Sequence, residues 1–445
     1  MTRTSPAETA PRYTSYPTTP HFHAGITGQT VAGWIGEIGA DEKLSLYLHI
    51  PFCDRLCWFC ACHTRHTLRY EPVAAYLGVL HREIGIVARH LGGRGRVVAV
   101  HLGGGSPTML RPGDLKALID LLRRSFRFDP RAEIAIEIDP SDVDPQRLDS
   151  IAAVGTTRAS LGVQDFEPVV QKAINREQGY ELTRDIVEGL RARGIGSINL
   201  DLVYGLPHQT VETVSATVDA CLSLKPDRLA LFGYAHVPWF KKHQTMIDET
   251  VLPGPEERLQ QAQAAARRIV GAGYEAVGID HFARPSDSLA TALRDGTLRR
   301  NFQGYTDDGC ETLIGLGPSA ISRFRQGHAQ NPPAMAVYTA SIDNGMLPAA
   351  RGIALSAEDR VRGWVIERLM CDFGFPVGEL LELDAEIGAT VCREADRIAY
   401  QAPDTLRREA GRFAIPPAMQ PFARSVAARF DPYFAKGTAR HSAAV

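Results

Sequence analysis

The 445-residue sequence predicts an α/β protein, a partial (βα)6 TIM-like barrel with an N-terminal arm and a mainly helical C-terminal domain. Three observations carry that prediction. Apolar runs of strand length alternate with helical apolar spacing from about residue 44 onward. Glycine and proline mark the joints between them. The chemically unusual residues gather in the segments that follow the strands, the face on which such barrels carry their chemistry.

Residues 1–40 are rich in Thr, Pro, Gly and Tyr and predict an extended arm with a short helix over 31–38. The run 44–50 predicts the first strand, 71–91 a helix, and 97–102 a second strand closed by the glycines at 103–105. Helices over 112–125, 144–154, 180–193, 210–224 and 255–272 then separate strands near Glu133, Ala159, Ile198 and Arg228. Asp144 serves as an N-cap with Pro145 at the first helical position, and Gly155, Gly194 and Gly273 stand where left-handed C-caps belong. About six such units with apolar strands imply a parallel sheet curled by right-handed crossovers. From about Leu355 the rhythm breaks. Ser356 and Asp359 make a capping-box start to a helix reaching Met370, and the remainder reads as helix-rich. The expected division is an arm at 1–40, a catalytic barrel at 41–350 and a C-terminal domain at 351–445.

Composition excludes several classes of function. With 44% hydrophobic and 22% charged residues and a net charge of −2, the chain reads as an ordinary globular protein with no polyanionic partner. Lysines and arginines are scattered among acids of almost equal number, which argues against nucleic-acid binding. No apolar run approaches the roughly 18 residues that span a bilayer, and residues 1–25 lack the basic head and apolar middle of a signal peptide. A cytoplasmic location is expected, where thiols stay reduced, and a monomer is the default.

Four of the eight cysteines crowd into ten residues at Cys53, Cys57, Cys60 and Cys62, directly after the first strand. Structural zinc sites join two Cys-x-x-Cys pairs across a long loop; here all four thiols share one short loop, which favours iron-sulfur over zinc. Thiolates spaced by three and then two residues can wrap three corners of a cubane and leave the fourth iron open for a reactant. Cys62 stays open between a further ligand, a thiol beside the cluster and simple packing. Cys221, Cys310, Cys371 and Cys392 are isolated and read as small core residues. The Gly-Gly-Gly-Ser segment at 103–106 suits close backbone approach to a ligand, where an ordinary turn needs one glycine. Glu137 and Asp201, at strand ends, suit hydrogen bonds from hydroxyls or an amine, against the alternative of solvated carboxylates. His49 and His281 read as hydrogen-bonded core histidines.

Cys-x-x-x-Cys-x-x-Cys at 53–60, with aromatic Phe59 before the third cysteine, resembles the signature of radical S-adenosylmethionine enzymes. The closer resemblance is to the oxygen-independent coproporphyrinogen III oxidase family. It rests on Pro-Arg-Tyr-Thr-Ser-Tyr-Pro at 11–17, Cys62, Gly-Val-Gln-Asp-Phe at 162–166, Asn175 and Arg176, Asp-Leu-Val-Tyr-Gly-Leu-Pro at 201–207, Asp-His-Phe-Ala-Arg-Pro at 280–285 and Asn-Phe-Gln-Gly-Tyr at 301–305. It covers nearly the whole chain.

The resemblance implies a 4Fe-4S cluster on Cys53, Cys57 and Cys60, with the fourth iron open to S-adenosylmethionine, and Cys62 as a family marker. It implies two S-adenosylmethionine molecules. The first would contact Tyr47, Gly104, Glu137 and Ile321; the second, Phe59, Gly105, Ser106, Gln164, Arg176, Asp201 and Ala235. Tyr47, Glu137, Arg176 and Asp201 are the implied catalytic set. Ser106 stands in place of a threonine, and Leu102 in place of an aromatic residue, which bears on local packing. The implied reaction uses a 5'-deoxyadenosyl radical to remove a hydrogen beta to the carboxylate of a propionate. Loss of carbon dioxide and one electron then gives a vinyl group, twice over, turning coproporphyrinogen III into protoporphyrinogen IX. A reduced flavodoxin or ferredoxin type of donor is implied. Four propionates call for cationic partners, among which Arg176, Arg284, Arg299, Arg300, Lys241 and Lys242 are candidates. Tyr13 and Tyr16 are expected to reach the cluster if the arm folds back over the barrel mouth. Two other readings remain: a haem chaperone of the same superfamily, whose usual Asp-Phe after the third cysteine is here Ala61 and Cys62, and an electron-transfer module, which needs no glycine edge.

Overall fold

The computed structural model describes residues 10–436, so the first nine residues of the predicted arm and the last nine of the predicted C-terminal domain lie outside the described residues. Six parallel strands follow one another both in sequence and in space: β1 (Lys43–Ile50), β2 (Arg96–Gly104), β3 (Phe128–Ile138), β4 (Arg158–Gln164), β5 (Ser197–Tyr204) and β6 (Arg228–Gly233). The helices Glu71–Leu91, Pro112–Ser125, Pro145–Ala153, Tyr180–Ala192, Val211–Ser223 and Pro255–Gly271 match the expected ones closely at both ends. Their punctuation works as read. Asp144 accepts the Arg147 amide at 2.7 Å, and Gly155, Gly194 and Gly273 take φ of 81°, 83° and 92°.

The sheet runs beyond these six strands to twelve. Past β6 its edge is finished by the antiparallel β7 (Glu275–Val277) and β8 (His281–Ala283). On the other side β9 (Thr312–Leu316) pairs in parallel with β1, and β10 (Ile321–Phe324), β11 (Gly327–Gln330) and β12 (Arg351–Ala354) continue antiparallel. These additions are too short to show a period in sequence.

On β3, β4 and β5 side chains alternate. Ile134, Ile136, Leu161, Leu200 and Leu202 pack into the main core, while Glu133, Glu137, Arg158, Asn199 and Asp201 face a cavity. The strands are thus apolar toward the helices and polar inward, where they surround a chamber.

One buried carboxylate ties the seventh parallel strand to the first long helix. Glu83, on Glu71–Leu91, accepts from the Gly317 amide at 2.7 Å, Asn331 Nδ2 at 2.8 Å and Tyr338 Oη at 2.5 Å. Burial outweighs these three donors and pushes its pKa up to about 7 from an ordinary 4.5. The folded state therefore holds this proton more tightly than the unfolded state, and the stabilisation present below about pH 4.5 is lost as pH rises toward 7. Glu83→Gln is expected to flatten that dependence, removing a pH-linked loss on the order of 3 kcal/mol. Thermal midpoints of both proteins from pH 5 to pH 8 check it.

A second hydrophobic cluster lies toward the C-terminus, where Tyr13 and Tyr16 of the arm pack with Val361, Leu369, Phe413 and Phe430. Its first helix, Ala357–Cys371, opens with the expected capping box, the Ser356 and Asp359 side chains each receiving the other's amide at 3.1 and 3.0 Å. A three-stranded sheet of Gly374–Pro376, Arg407–Glu409 and Arg412–Ala414 stands among these helices. Tyr13 donates to Asp431 at 2.9 Å, and Tyr16 meets Tyr433 edge-on at 6.0 Å. The two tyrosines thus anchor the arm in the C-terminal core and do not reach the cysteine loop, because their rings bury better against apolar helices than in a polar cavity. Among the described residues no helix is long and apolar enough to cross a membrane.

Candidate active site

A cavity of about 570 Å3 opens at the C-terminal ends of β2 to β6. The cysteine loop forms one wall. Past Ile50, Phe52–Cys53 pairs in parallel with Arg65–His66 and pinches the loop shut at its stem. The Trp58 amide donates to Ile174 O at 3.0 Å, and Asn175 Nδ2 to Leu56 O at 2.9 Å, fixing the far side. Cys53, Cys57, Cys60 and Cys62 all face the cavity. Burial pushes the Cys57 thiol up, and Arg176, with Nη1 3.5 Å from Sγ, opposes it by favouring the thiolate. The Cys62 amide donates to Cys60 Sγ at 3.4 Å. Three soft donors on one loop, facing open space, fit a polynuclear iron-sulfur centre.

The glycine edge is spliced onto the same stem. Gly105 N donates to Ile50 O at 2.8 Å and Ser106 N to Phe52 O at 2.7 Å. A Cβ on Gly105 would lie 2.5 Å from Phe52 O and 2.8 Å from Phe52 N, backbone atoms that cannot yield, and Gly104 has φ of 113°. That packing locks the glycine edge to the cysteine stem and leaves Gly104 and Gly105 lining the cavity beside the thiols with no side chain to fill it. Glu137 is gripped by His101 Nε2 at 3.0 Å and by the Gly104 amide at 3.1 Å. Burial works against its ionised form, but His101 and that amide outweigh burial and hold its pKa below the usual range. Asp201 accepts from Asn199 Nδ2 at 2.8 Å and Ser160 Oγ at 3.0 Å, yet burial, with Glu137 adding to it, keeps its pKa raised. Two carboxylates thus share one chamber with pKa values pushed apart. Arg176 lies between them and the thiols, bonded to Asp139 at 2.9 Å and to Gly162 O at 2.7 Å.

Comparison with known proteins bears on this geometry directly. The chain matches the Radical SAM superfamily over residues 47–221. It is 45% identical over 435 residues to the oxygen-independent coproporphyrinogen III oxidase of Paracoccus denitrificans, covering 98% of this chain and 96% of that protein. The chain belongs to the oxygen-independent coproporphyrinogen III oxidase family. The Escherichia coli oxidase of the same name is 42% identical over 363 residues, 82% of this chain and 79% of its own length. The solved structure of coproporphyrinogen III oxidase from Escherichia coli, described as a radical SAM enzyme, superposes with a TM-score of 0.90 at 37% identity, over 95% of this chain and 97% of that one.

Within this member of the oxygen-independent coproporphyrinogen III oxidase family, Phe59, Gly104, Gly105, Glu137, Gln164, Arg176, Asp201 and Ala235 line the cavity. Tyr47, Ser106 and Ile321 do not. Tyr47 Oη bonds His49 Nδ1 at 3.0 Å, and its ring stacks on His101 at 5.8 Å, behind Glu137. The buried Ser106 hydroxyl bonds the Asp142 carboxylate, and also Thr108 Oγ1 at 2.8 Å. Ile321 opens β10, where its carbonyl would meet a Cβ on Gly315 at 2.7 Å. Tyr47 stays on the inner face of the sheet, in register with His101, which lines the cavity, while the Ser106 hydroxyl is taken up by its own hydrogen bonds. Leu102 is 1% exposed in the main core. His49 and His281 are hydrogen-bonded as expected, His49 to His63 O at 2.8 Å and His281 to Asp280 at 2.7 Å.

Of the proposed cations only Arg176 lines the cavity. Arg284 binds the Lys225 and Pro226 carbonyls at 2.9 Å, at the N-terminal end of β6. Arg299 is paired with Glu367 at 2.9 Å, and Arg300 is buried against the Tyr305 ring at 4.4 Å. Lys241 donates to Cys62 O at 2.8 Å, and Lys242 is exposed outside the cavity. Sequence reasoning missed Arg12, which lines the cavity and donates to Gly233 O at 3.0 Å. Near it, Arg258 donates to Tyr234 O at 2.7 Å, and Asp280 lies 3.7 Å from Arg300. Burial opposes ionisation of Asp280, but Arg300 and His281 outweigh it and hold the pKa near about 2. Arg12 sits inside the 11–17 motif, beside the tyrosines that drew attention first.

Proposed function

We propose that this chain converts coproporphyrinogen III to protoporphyrinogen IX without oxygen, turning two propionates into vinyl groups in porphyrin and haem synthesis. We read it as a cytoplasmic monomer fed by a reduced flavodoxin or ferredoxin type of donor. One observation carries the reading: three cysteines of one loop and a bare glycine edge open together on a cavity of about 570 Å3. Cys53, Cys57 and Cys60 would hold a 4Fe-4S cluster with one iron left to S-adenosylmethionine, and that group would supply the one-electron chemistry needed to activate a propionate. Everything else falls to the protein.

Gly104 and Glu137 are read as holding the first S-adenosylmethionine, the glycine by leaving room for close approach and the carboxylate as an ionised acceptor, with Tyr47 and Ile321 supporting them. Gln164, Arg176, Asp201 and Ala235, with Phe59, Gly105 and Ser106, are read as the place of a second. The chamber around Asp201 keeps water from the reacting carbon, and Arg176 holds the thiolate side of the loop in register. We divide the chain into an arm (1–40), a catalytic unit (41–350) and a C-terminal unit (351–445), the arm giving Trp34 to the main core and Tyr13 and Tyr16 to the C-terminal cluster.

Anaerobic reconstitution with iron and sulfide, followed by reductant, S-adenosylmethionine and coproporphyrinogen III, tests the reading. Vinyl products accompanied by 5'-deoxyadenosine are expected; deoxyadenosine without any vinyl product would defeat the decarboxylase reading. Arg12 is read as the partner of a substrate carboxylate. Arg12→Ala is expected to raise KM about tenfold, some 1.4 kcal/mol, at nearly constant kcat. Initial rates over a substrate series check that split, with Arg12→Lys falling between the two.

A further inference from the structure

The cluster loop is held from outside by the strap 237–246, the segment that follows β6. Three of its side chains hydrogen-bond to backbone carbonyls between Phe59 and Cys62: Gln244 to Phe59 O at 2.9 Å, His243 to Cys60 O at 2.6 Å and Lys241 to Cys62 O at 2.8 Å. The same strap turns large apolar groups to solvent. Phe240 is 73% exposed, Met246 58% and Trp239 55%. Lys241 Nζ lies 5.3 Å from the Phe240 ring, so one side chain touches both the outer ring and the carbonyl of Cys62. No residue in 237–246 is acidic, and Lys242 and His243 stand beside Lys241. The stretch 63–69, which returns from the cluster loop, contributes His63, Arg65, His66 and Arg69, again without an acid, and 80%-exposed Leu68. Lys241 bonds the carbonyl of Cys62, the residue before His63, so strap and returning stretch meet there. On a chain of net charge −2 this is a local basic, apolar surface, one hydrogen bond from two cysteine carbonyls.

We propose that the face formed by the strap 237–246 and the returning stretch 63–69 is the docking surface for an acidic one-electron carrier protein. The inference rests on the radical reading of the site. A rim of basic side chains around exposed aromatic rings suits a partner with an acidic rim and an apolar centre. The step it serves moves one electron and no atoms: the carrier's reduced flavin is oxidised by one electron and the cluster reduced by one. His243 and Lys241 each link the face by one hydrogen bond to a carbonyl of the loop that bears the thiols.

The test uses the reconstituted enzyme, with flavodoxin as the carrier and dithionite as a small reductant that needs no docking. Phe240→Asp and Lys242→Glu are exposed and lie outside the cavity. Each is expected to weaken flavodoxin binding about tenfold and to slow flavodoxin-driven deoxyadenosine formation at limiting carrier. Dithionite-driven formation is expected to stay at the parent rate, and the salt dependence of binding to flatten for Lys242→Glu. Binding within twofold of the parent for both variants, or no binding by the parent, would overturn the proposal, as would equal slowing with both reductants. Failure of the parent to cleave S-adenosylmethionine with dithionite would instead defeat the radical reading, and the binding titration registers docking separately.

Discussion

Cys57→Ser is expected to yield a protein that folds but assembles no iron-sulfur centre and cleaves no S-adenosylmethionine. Cys57 is the most enclosed of the loop thiols, 9% exposed, and its sulfur lies 3.5 Å from the Arg176 guanidinium. A serine hydroxyl there is a hard, neutral donor where a soft anionic one is needed, and no neighbouring group lowers its pKa enough to change that. Two remaining thiols cannot hold three corners of a cubane. Cys62→Ser makes the comparison, because Cys62 joins the loop through its amide to Cys60 Sγ and its carbonyl to Lys241, contacts that serine keeps. It should retain most of the iron and sulfide. Iron and sulfide analysis with electron paramagnetic resonance of the reduced proteins decides the matter. Equal loss in both variants would make Cys62 a ligand and remove the open iron.

Arg176→Ala should be nearly as damaging, through the fold as well as the chemistry. The side chain is 7% exposed and holds Asp139 at 2.9 Å and Gly162 O at 2.7 Å. Its removal leaves the half-buried Asp139 carboxylate with only the longer Arg55 contact, at 3.5 Å, beside Asp142, whose pKa burial and Asp139 have already pushed up to about 7. Breaking one side of a buried pair costs about 3–5 kcal/mol, more than replacing both sides would. A fall in thermal midpoint is expected, together with loss of S-adenosylmethionine binding, measured by equilibrium dialysis. Arg176→Lys should recover part of the stability but little of the binding, since an ammonium cannot present the fork that spans Asp139 and Gly162 at once. Parent-like binding by the lysine variant would reduce Arg176 to a point charge.

The consecutive strand-helix units were legible because each helix carries its own stop signals and each strand is flanked by them. The edge strands were not: β7 to β12 have three to five residues, and their pairing is decided by what they meet, such as β9 closing on β1 from more than 260 residues away. The cysteine loop, Gly105, Glu137, Asp201 and Arg176 were readable from residue type and position. What escaped was direction. Tyr47 and Ser106 stand within motifs whose neighbours line the cavity, yet the hydroxyl of each is taken up inside the protein, by His49 and by Asp142. The polar alternation of Glu133, Glu137, Asn199 and Asp201 was present in sequence as a period-2 signal, and it marked a chamber in place of a filled barrel. Arg12 escaped for a different reason, because its site exists only once the arm has docked against β6.

That docking has a temporal meaning. Tyr13, next to Arg12, is held by Asp431, 418 residues away, while Arg12 itself reaches Gly233. The mouth of the chamber is therefore assembled from the early and late parts of the chain, and a ribosome must deliver residue 431 before the arm has its clamp. Closing so long a loop costs only modestly more than closing a short one, but it imposes an order: thiols and glycine edge are made first, and the arm arrives last. The last segment to be synthesised thus fixes the first at the mouth of the chamber.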